Sequence, residues 1–166
     1  AYTATGDEVI MPGDPLGPDQ IISSNSVALG AYIETLGGAA LNLGIARDDE
    51  ASLRRMFEGA RGADLLITIG GASVGDHDLV QSVLGEIGLE LDFWKIAMRP
   101  GKPLIFGRLG GVPVLGLPGN PVSAGVTSVI FLSAAIRKMT GIEPVDETPP
   151  TALLGRDLDA NDFRQD

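Results

Sequence analysis

Apolar residues along this chain alternate between two spacings, and the changes of spacing mark out strands and helices in turn. Over residues 24–36, Leu29, Ile33 and Leu36 recur at helical intervals behind Ser23, Ser24 and Asn25, which favour a helix start, and Gly37-Gly38 ends the run. Residues 39–45 read as a short buried strand. Asp48 or Asp49 caps the next helix, in which Leu53, Met56, Phe57 and Ala60 form one stripe while Arg54, Arg55 and Glu58 face water. Residues 64–69 are an apolar run of strand length that stops at Gly70-Gly71. A third amphipathic helix follows on Leu79, Val80, Val83, Leu84 and Ile87, ending near Gly88. Residues 91–97 and 104–107 are β-rich and flank Met98-Arg99-Pro100-Gly101-Lys102-Pro103, a turn of the hairpin kind. Residues 112–117 form the last strand, and Pro118-Gly119-Asn120-Pro121 leads into a helix that reaches about Met139.

Strands alternating with helices predict an α/β fold, a doubly wound, mostly parallel sheet with helices on both faces. The last helix is apolar or small nearly all round until Arg137-Lys138, so it is expected to be buried, either deep in the domain or partly against another subunit. Beyond Gly141 the composition shifts to a proline-rich acidic linker over 143–150, after which only Leu153, Leu154, Leu158 and Phe163 offer anchors. The expected organisation is one α/β domain over residues 1–141, followed over 142–166 by a linker and the start of a C-terminal β domain. Residues 1–4 look like strand interior and carry no initiating methionine, so a fragment with a truncated first strand is expected.

With 166 residues and 44% hydrophobic content, the chain can bury a full core. It has no cysteine, which removes disulfides and thiolate metal sites. No uninterrupted apolar stretch has the length of a membrane span and no signal-peptide layout is present, so a soluble protein with no membrane partner is expected. The net charge of −10 is uneven: residues 1–22 contribute −4 and residues 143–166 contribute −5, leaving the middle close to neutral. That balance argues against nucleic-acid binding, which draws its affinity from many basic side chains.

Three glycine-bearing polar turns each follow an apolar run: Thr5-Gly6-Asp7-Glu8, Gly70-Gly71-Ala72-Ser73-Val74-Gly75, and Leu117-Pro118-Gly119-Asn120-Pro121-Val122-Ser123. At the carboxyl ends of parallel strands such turns expose N–H groups and helix N-termini that hold phosphate-like anions. Glu8 and Asp78 follow two of these turns and are natural Mg²⁺ ligands, since Mg²⁺ takes one or two carboxylates plus water and phosphate oxygens. Asp76, Asp48 and Asp49 are weaker candidates. Lys95, Arg99 and Lys102 gather three cations within eight positions, a pattern that suits phosphate or an oxyanion. Each feature taken singly has a plainer explanation: a bare strand-to-helix turn, an Asn120 helix cap, a solvated acid, or a charged hairpin face. His77 at a wet helix start and Trp94 in packing need no chemical role. No Ser-His-Asp order, His-rich metal spacing or Walker motif is present.

Taken in order, these three turns with Ser24-Asn25-Ser26, Arg47-Asp48-Asp49, Asp78, Phe93-Trp94-Lys95 and Arg99-Pro100-Gly101-Lys102-Pro103 resemble the molybdopterin molybdotransferase family, which includes bacterial MoeA and the gephyrin E domain. The resemblance covers residues 1 to about 141. It implies the MogA/MoeA-like molybdopterin-binding fold and an Mg²⁺-dependent, cytoplasmic transferase that inserts molybdate into adenylylated molybdopterin and releases AMP. On matching positions it implies catalytic roles for Glu8, Asp78, Lys95, Arg99 and Lys102, with Glu8 and Asp78 at the metal. It implies substrate binding by Thr5, Gly6, Asn25, Gly70, Gly71, Ser73, Gly75, Pro118, Gly119, Asn120, Pro121 and Ser123. It further implies a homodimer in the full-length protein and a MogA-like adenylyltransferase partner. Two rival readings are a CinA-like domain acting on nucleotide pyrophosphates or nicotinamide compounds, which shares the first turn and a Gly-Gly turn, and a gephyrin-like scaffold module.

Overall fold

The structure, a computed structural model, describes residues 1–70, 85–86, 88–142, 151–153 and 155. Its elements in chain order are β1 (Tyr2–Thr5), β2 (Val9–Ile10), β3 (Ile21–Ile22), α1 (Ser24–Thr35), β4 (Asn42–Ala46), α2 (Glu50–Gly59), β5 (Leu66–Ile69), β6 (Leu89–Phe93), β7 (Ile105–Leu109) and β8 (Val112–Leu117). A last helical stretch comprises α3 (Pro121–Thr127), a π-helical turn (Ser128–Leu132) and α4 (Ser133–Met139). The sheet order is β4-β1-β5-β8-β7-β6. The first four strands are mutually parallel, and β7 and β6 are added antiparallel at one edge.

Helices cover both faces, as the sequence predicts, and the two-residue period of the strands sorts the core accordingly. Tyr2, Ile67, Ile69, Leu115 and Leu117 pack with Leu29 and Ile33 of α1 and with Leu132 and Ile136 beyond β8. On the opposite face Leu66 and Val114 meet Leu53, Met56 and Phe57 of α2. Strand β5 is therefore apolar at nearly every position, as a strand covered on both sides must be. Helix α2 starts where expected, with the Asp49 carboxylate accepting from the Ser52 N–H at 2.7 Å.

Several expectations need correction. The strand read over 39–45 is shorter, Asn42–Ala46, and only Ala46 is buried, because β4 lies at the sheet edge and bends at Gly44. The hairpin strands are β6 and β7, so the Pro-Gly step sits inside a connection over 94–104 rather than in a tight turn. The last helix is not buried all round: Thr127 and Leu132 are inaccessible, whereas Val122, Val129, Ile130 and Met139 are exposed. That helical stretch, Pro121–Met139, is long and apolar enough to cross a membrane by length and composition alone, a test that the core helix of a domain also passes. Its inner side is packed on the sheet, the placement of a domain helix. The parallel pair β2–β3 has too short a pattern to register in the sequence. The third helix read over residues 79–87 lies outside the described residues apart from Gly85 and Glu86.

Tyr2 ties β1 to α1. A Cβ placed on Gly30 would stand 2.5 Å from the Tyr2 hydroxyl, so Gly30→Ala is expected to lower stability by about 1–3 kcal/mol in denaturant unfolding. Burial pushes the Tyr2 phenol above its ordinary value of 10.0, with Glu34 adding to the effect and a hydrogen bond with Asn42 opposing it. The folded chain thus holds that proton more tightly than the unfolded one. Its contribution is whole below pH 10.0 and is lost as pH rises through the folded-state value. Tyr2→Phe is expected to remove this alkaline loss in unfolding curves on either side of that pH.

Candidate functional site

Because β1, β4, β5 and β8 run parallel, their carboxyl ends all open on one rim. Thr5 pairs with Ala46, Ala4 with Ile69, and Ile69 with Leu117. The antiparallel edge extends the same rim, since Ile105 at the start of β7 pairs with Gly116 and Phe106 pairs with Phe93 at the end of β6. The connection over 94–104 therefore leaves and rejoins the sheet beside the end of β8. The strand order reverses between β1 and β5, and in doubly wound sheets ligands settle in the crevice at that point.

Glycine is what lets the turns meet there. Gly70 has φ +92°, its N–H donates to Leu117 O at 3.0 Å, and a Cβ at this position would lie 2.9 Å from the main-chain oxygen of Thr5. A Cβ on Gly119 would reach to 3.4 Å from the Gly70 Cα. Gly70 thus links the end of β1 at Thr5 to the end of β8, bonded to Leu117 O and close to Gly119. Asn25 joins them from α1, donating from Nδ2 to Gly119 O at 2.7 Å. Asn120 Oδ1 accepts from the N–H groups of Val122 and Ser123 at 3.0 and 3.1 Å, so the first free donors of α3 are met by the chain's own cap.

Glu8 follows the first turn. Its carboxylate folds back over Gly6, where a Cβ would lie 2.5 Å from Oε2, and it makes no hydrogen bond or ion pair among the described residues. One hard-oxygen donor with no protein cation beside it fits an Mg²⁺ ion that fills the rest of its shell with water and phosphate. No group of three potential metal-ligating side chains occurs among the described residues, which leaves Glu8 as the described member of the expected pair. Asp78, Gly71, Ser73 and Gly75, with Ala72, Asp76 and His77, lie outside the described residues.

The cationic connection is anchored from both sides. Ile96 N–H and Leu104 N–H both donate to Lys102 O, at 3.0 and 3.1 Å, closing the loop on itself. Gly101 is buried against Thr127, so close that a Cβ would stand 2.7 Å from the Thr127 methyl. Lys95 Nζ sits 3.4 Å from the centroid of the Trp94 ring, which holds that ammonium as a cation–π pair. Arg99 and Lys102 are exposed and make no ion pair among the described residues. Beside the rim, Leu29, Tyr32, Ile69, Pro121, Ala124 and Val129 line an open apolar cleft of about 270 Å³ between α1 and α3, which the sequence reading did not single out. Arg47 was missed as well: its Nη1 donates to Asp7 O at 2.7 Å and Val9 O at 3.2 Å.

A mostly parallel sheet carries these glycine turns at one rim of an α/β domain, and comparison with known proteins gives its kind. The family model described as "Probable molybdopterin binding domain" matches residues 1–138, and the chain belongs to that family. It is 42% identical over 139 residues to the molybdopterin molybdenumtransferase of Haemophilus influenzae, across 83% of this chain and 34% of that protein. Molybdopterin molybdenumtransferase 2 of Mycobacterium tuberculosis is 39% identical over 161 residues, across 93% and 40%. Among solved structures, the molybdopterin biosynthesis moea protein from Pyrococcus horikosii matches with a TM-score of 0.76 at 38% identity, over 86% of this chain and 35% of its own. The chain therefore spans roughly a third to two fifths of the length of these relatives. The protein CinA from Thermoplasma acidophilum, at a TM-score of 0.58 and 15% identity, shares the fold.

The contact at Gly70 is open to direct trial. Gly70→Ala adds a Cβ against a main-chain oxygen in a backbone conformation that side chains disfavour, and is expected to cost about 1–3 kcal/mol in thermal unfolding. Unchanged stability would contradict the packed junction of the three strand ends.

Proposed function

We propose that this chain is the molybdopterin-binding unit of an Mg²⁺-dependent molybdopterin molybdenumtransferase, which inserts molybdate into adenylylated molybdopterin and releases AMP. The observation that carries the reading is the meeting of Thr5, Gly70 and Gly119 on one rim in a chain whose residues 1–138 match the molybdopterin-binding family. The turns at Thr5-Gly6, Gly70-Gly71-Ala72-Ser73-Val74-Gly75 and Pro118-Gly119-Asn120-Pro121 with Ser123 seat the phosphate and dithiolene end of the substrate. Asn25 keeps the third turn in place through its bond to Gly119 O. The apolar cleft beside α1 and α3 gives a planar ring a dry wall.

Glu8, with Asp78, would hold the Mg²⁺, which when bound offsets negative charge on the phosphate oxygens of the adenylylated substrate. Arg99 and Lys102 attract molybdate, the second anion, and orient it through charge-assisted hydrogen bonds; Lys95 adds its charge from its seat on Trp94. Arg99 supplies a planar fork where a lysine would supply a point charge, so it fixes an oxyanion's orientation as well as its presence. We further infer that residues 1–141 form the domain and 142–166 a linker into a C-terminal β domain. The full-length enzyme is proposed to act in the cytoplasm as a homodimer, receiving its adenylylated substrate from a MogA-like partner. Since relatives of this family are more than twice as long, the 166-residue chain is expected to bind substrate but turn it over poorly.

Calorimetric titration with adenylylated molybdopterin in the presence of Mg²⁺ tests the reading. Saturable binding is expected, and molybdate titrated into the resulting complex is expected to bind about tenfold or more weakly in Lys102→Ala, the loss of one charge-assisted hydrogen bond, with folding unchanged by circular dichroism. Absence of binding, or tighter binding of ADP-ribose, would turn the assignment toward the nucleotide chemistry of the rival reading.

A further inference from the structure

We propose that Arg47 is a positioning residue that aims the Glu8 carboxylate, an inference that rests on Glu8 being a metal ligand in the function proposed above. Arg47 is the first residue past β4 and Glu8 lies three residues past β1. Because Thr5 pairs with Ala46, the two segments leave the sheet side by side. From there the turn around Glu8 is laced down at every main-chain oxygen. Arg47 Nη1 donates to Asp7 O at 2.7 Å and to Val9 O at 3.2 Å, the carbonyls immediately before and after Glu8. Glu8 O itself accepts from Ile21 N–H of β3 at 2.8 Å. Gly6 N–H donates to Ala46 O at 3.2 Å, and Asp48 N–H donates to Asp7 Oδ1 at 3.2 Å.

The result is a turn whose main-chain oxygens from Asp7 to Val9 are all held, while the Glu8 side chain is left without a partner among the described residues. Arg47 makes no ion pair there either, so its donors serve main-chain carbonyls rather than a carboxylate. A guanidinium anchored in this way limits the rotation of the peptide units on both sides of Glu8, and these set the direction of its Cα–Cβ bond. The groups that hold a metal ligand's geometry commonly matter to metal affinity nearly as much as the ligand. Arg47 thus acts on the metal through Glu8 and touches neither metal nor substrate.

The test uses the 166-residue chain, with Mn²⁺ as a paramagnetic probe for the Mg²⁺ site, read by electron paramagnetic resonance in the presence of adenylylated molybdopterin. Arg47→Met is expected to weaken Mn²⁺ binding about tenfold, the lower end of what loss of a ligand-orienting contact costs, and Arg47→Lys to recover part of it. In a Glu8→Gln background Arg47→Met should add nothing, because the clamp acts only through that carboxylate. Amide hydrogen exchange on the ligand-free chain should quicken over residues 7–9 in Arg47→Met. Wild-type Mn²⁺ affinity in Arg47→Met, or an equal loss with and without the Glu8 carboxylate, overturns the inference and leaves the metal assignment standing. A wild-type chain that binds no Mn²⁺ at Glu8 overturns both. Should the Met variant not fold, the Lys variant decides by the same comparison.

Discussion

The contact that everything else in this domain depends on is the one between the carboxyl ends of β1, β5 and β8. Parallel pairing sets Ile69 beside Ala4 and Leu117, and at the next position only a residue without a side chain fits against the Thr5 main-chain oxygen, with Gly119 close on the other side. Three strand ends pressed together in this way present their turns as one surface. A larger residue at position 70 would separate the turns and divide an anion's donors among distinct places.

From this junction the rim grows outward by two different means. On the β4 side it grows through hydrogen bonds, as Arg47 and Asp48 reach back to the turn that carries Glu8. On the β6–β7 side it grows through packing, as buried Gly101 seats the cationic connection against Thr127 of the last helical stretch. That stretch has two tasks with different demands. Its inner residues Leu132 and Ile136 complete the larger core, while Val122, Val129 and Ile130 stay open to solvent. The turn that carries Glu8 and the connection that carries Arg99 and Lys102 thereby lie toward opposite edges of the sheet.

Much of this was legible in the sequence because it rests on local chemistry. Gly37-Gly38 does end α1, Asp49 does cap α2, Asn120 does cap α3, and the apolar run ending at Ile69 is the doubly covered strand. Parallel strands imply a common rim, so the turns that follow β1, β5 and β8 leave the sheet at one end, while the place of the 94–104 connection depends on the antiparallel pairing of β6, β7 and β8. What escaped depends on neighbours far away in the chain. The exposure of Val129 and Ile130 cannot be told from composition, because an apolar helix looks the same whether one side or all sides are covered. The edge position of β4 comes from sheet order, which periodicity does not encode. Arg47 stood inside a recognised motif, but its bonds run to main-chain carbonyls, and a sequence gives no sign of which carbonyls lie within reach.

A crystal structure of the chain with adenylylated molybdopterin and Mg²⁺ would decide whether the shared rim is the binding site. The phosphates are expected over Gly6, Gly70 and Gly119, with the metal on Glu8 and an oxyanion beside Arg99 and Lys102. Ligand density at the opposite ends of the strands, around Ala1 and Pro113, or a metal remote from Glu8, would contradict it.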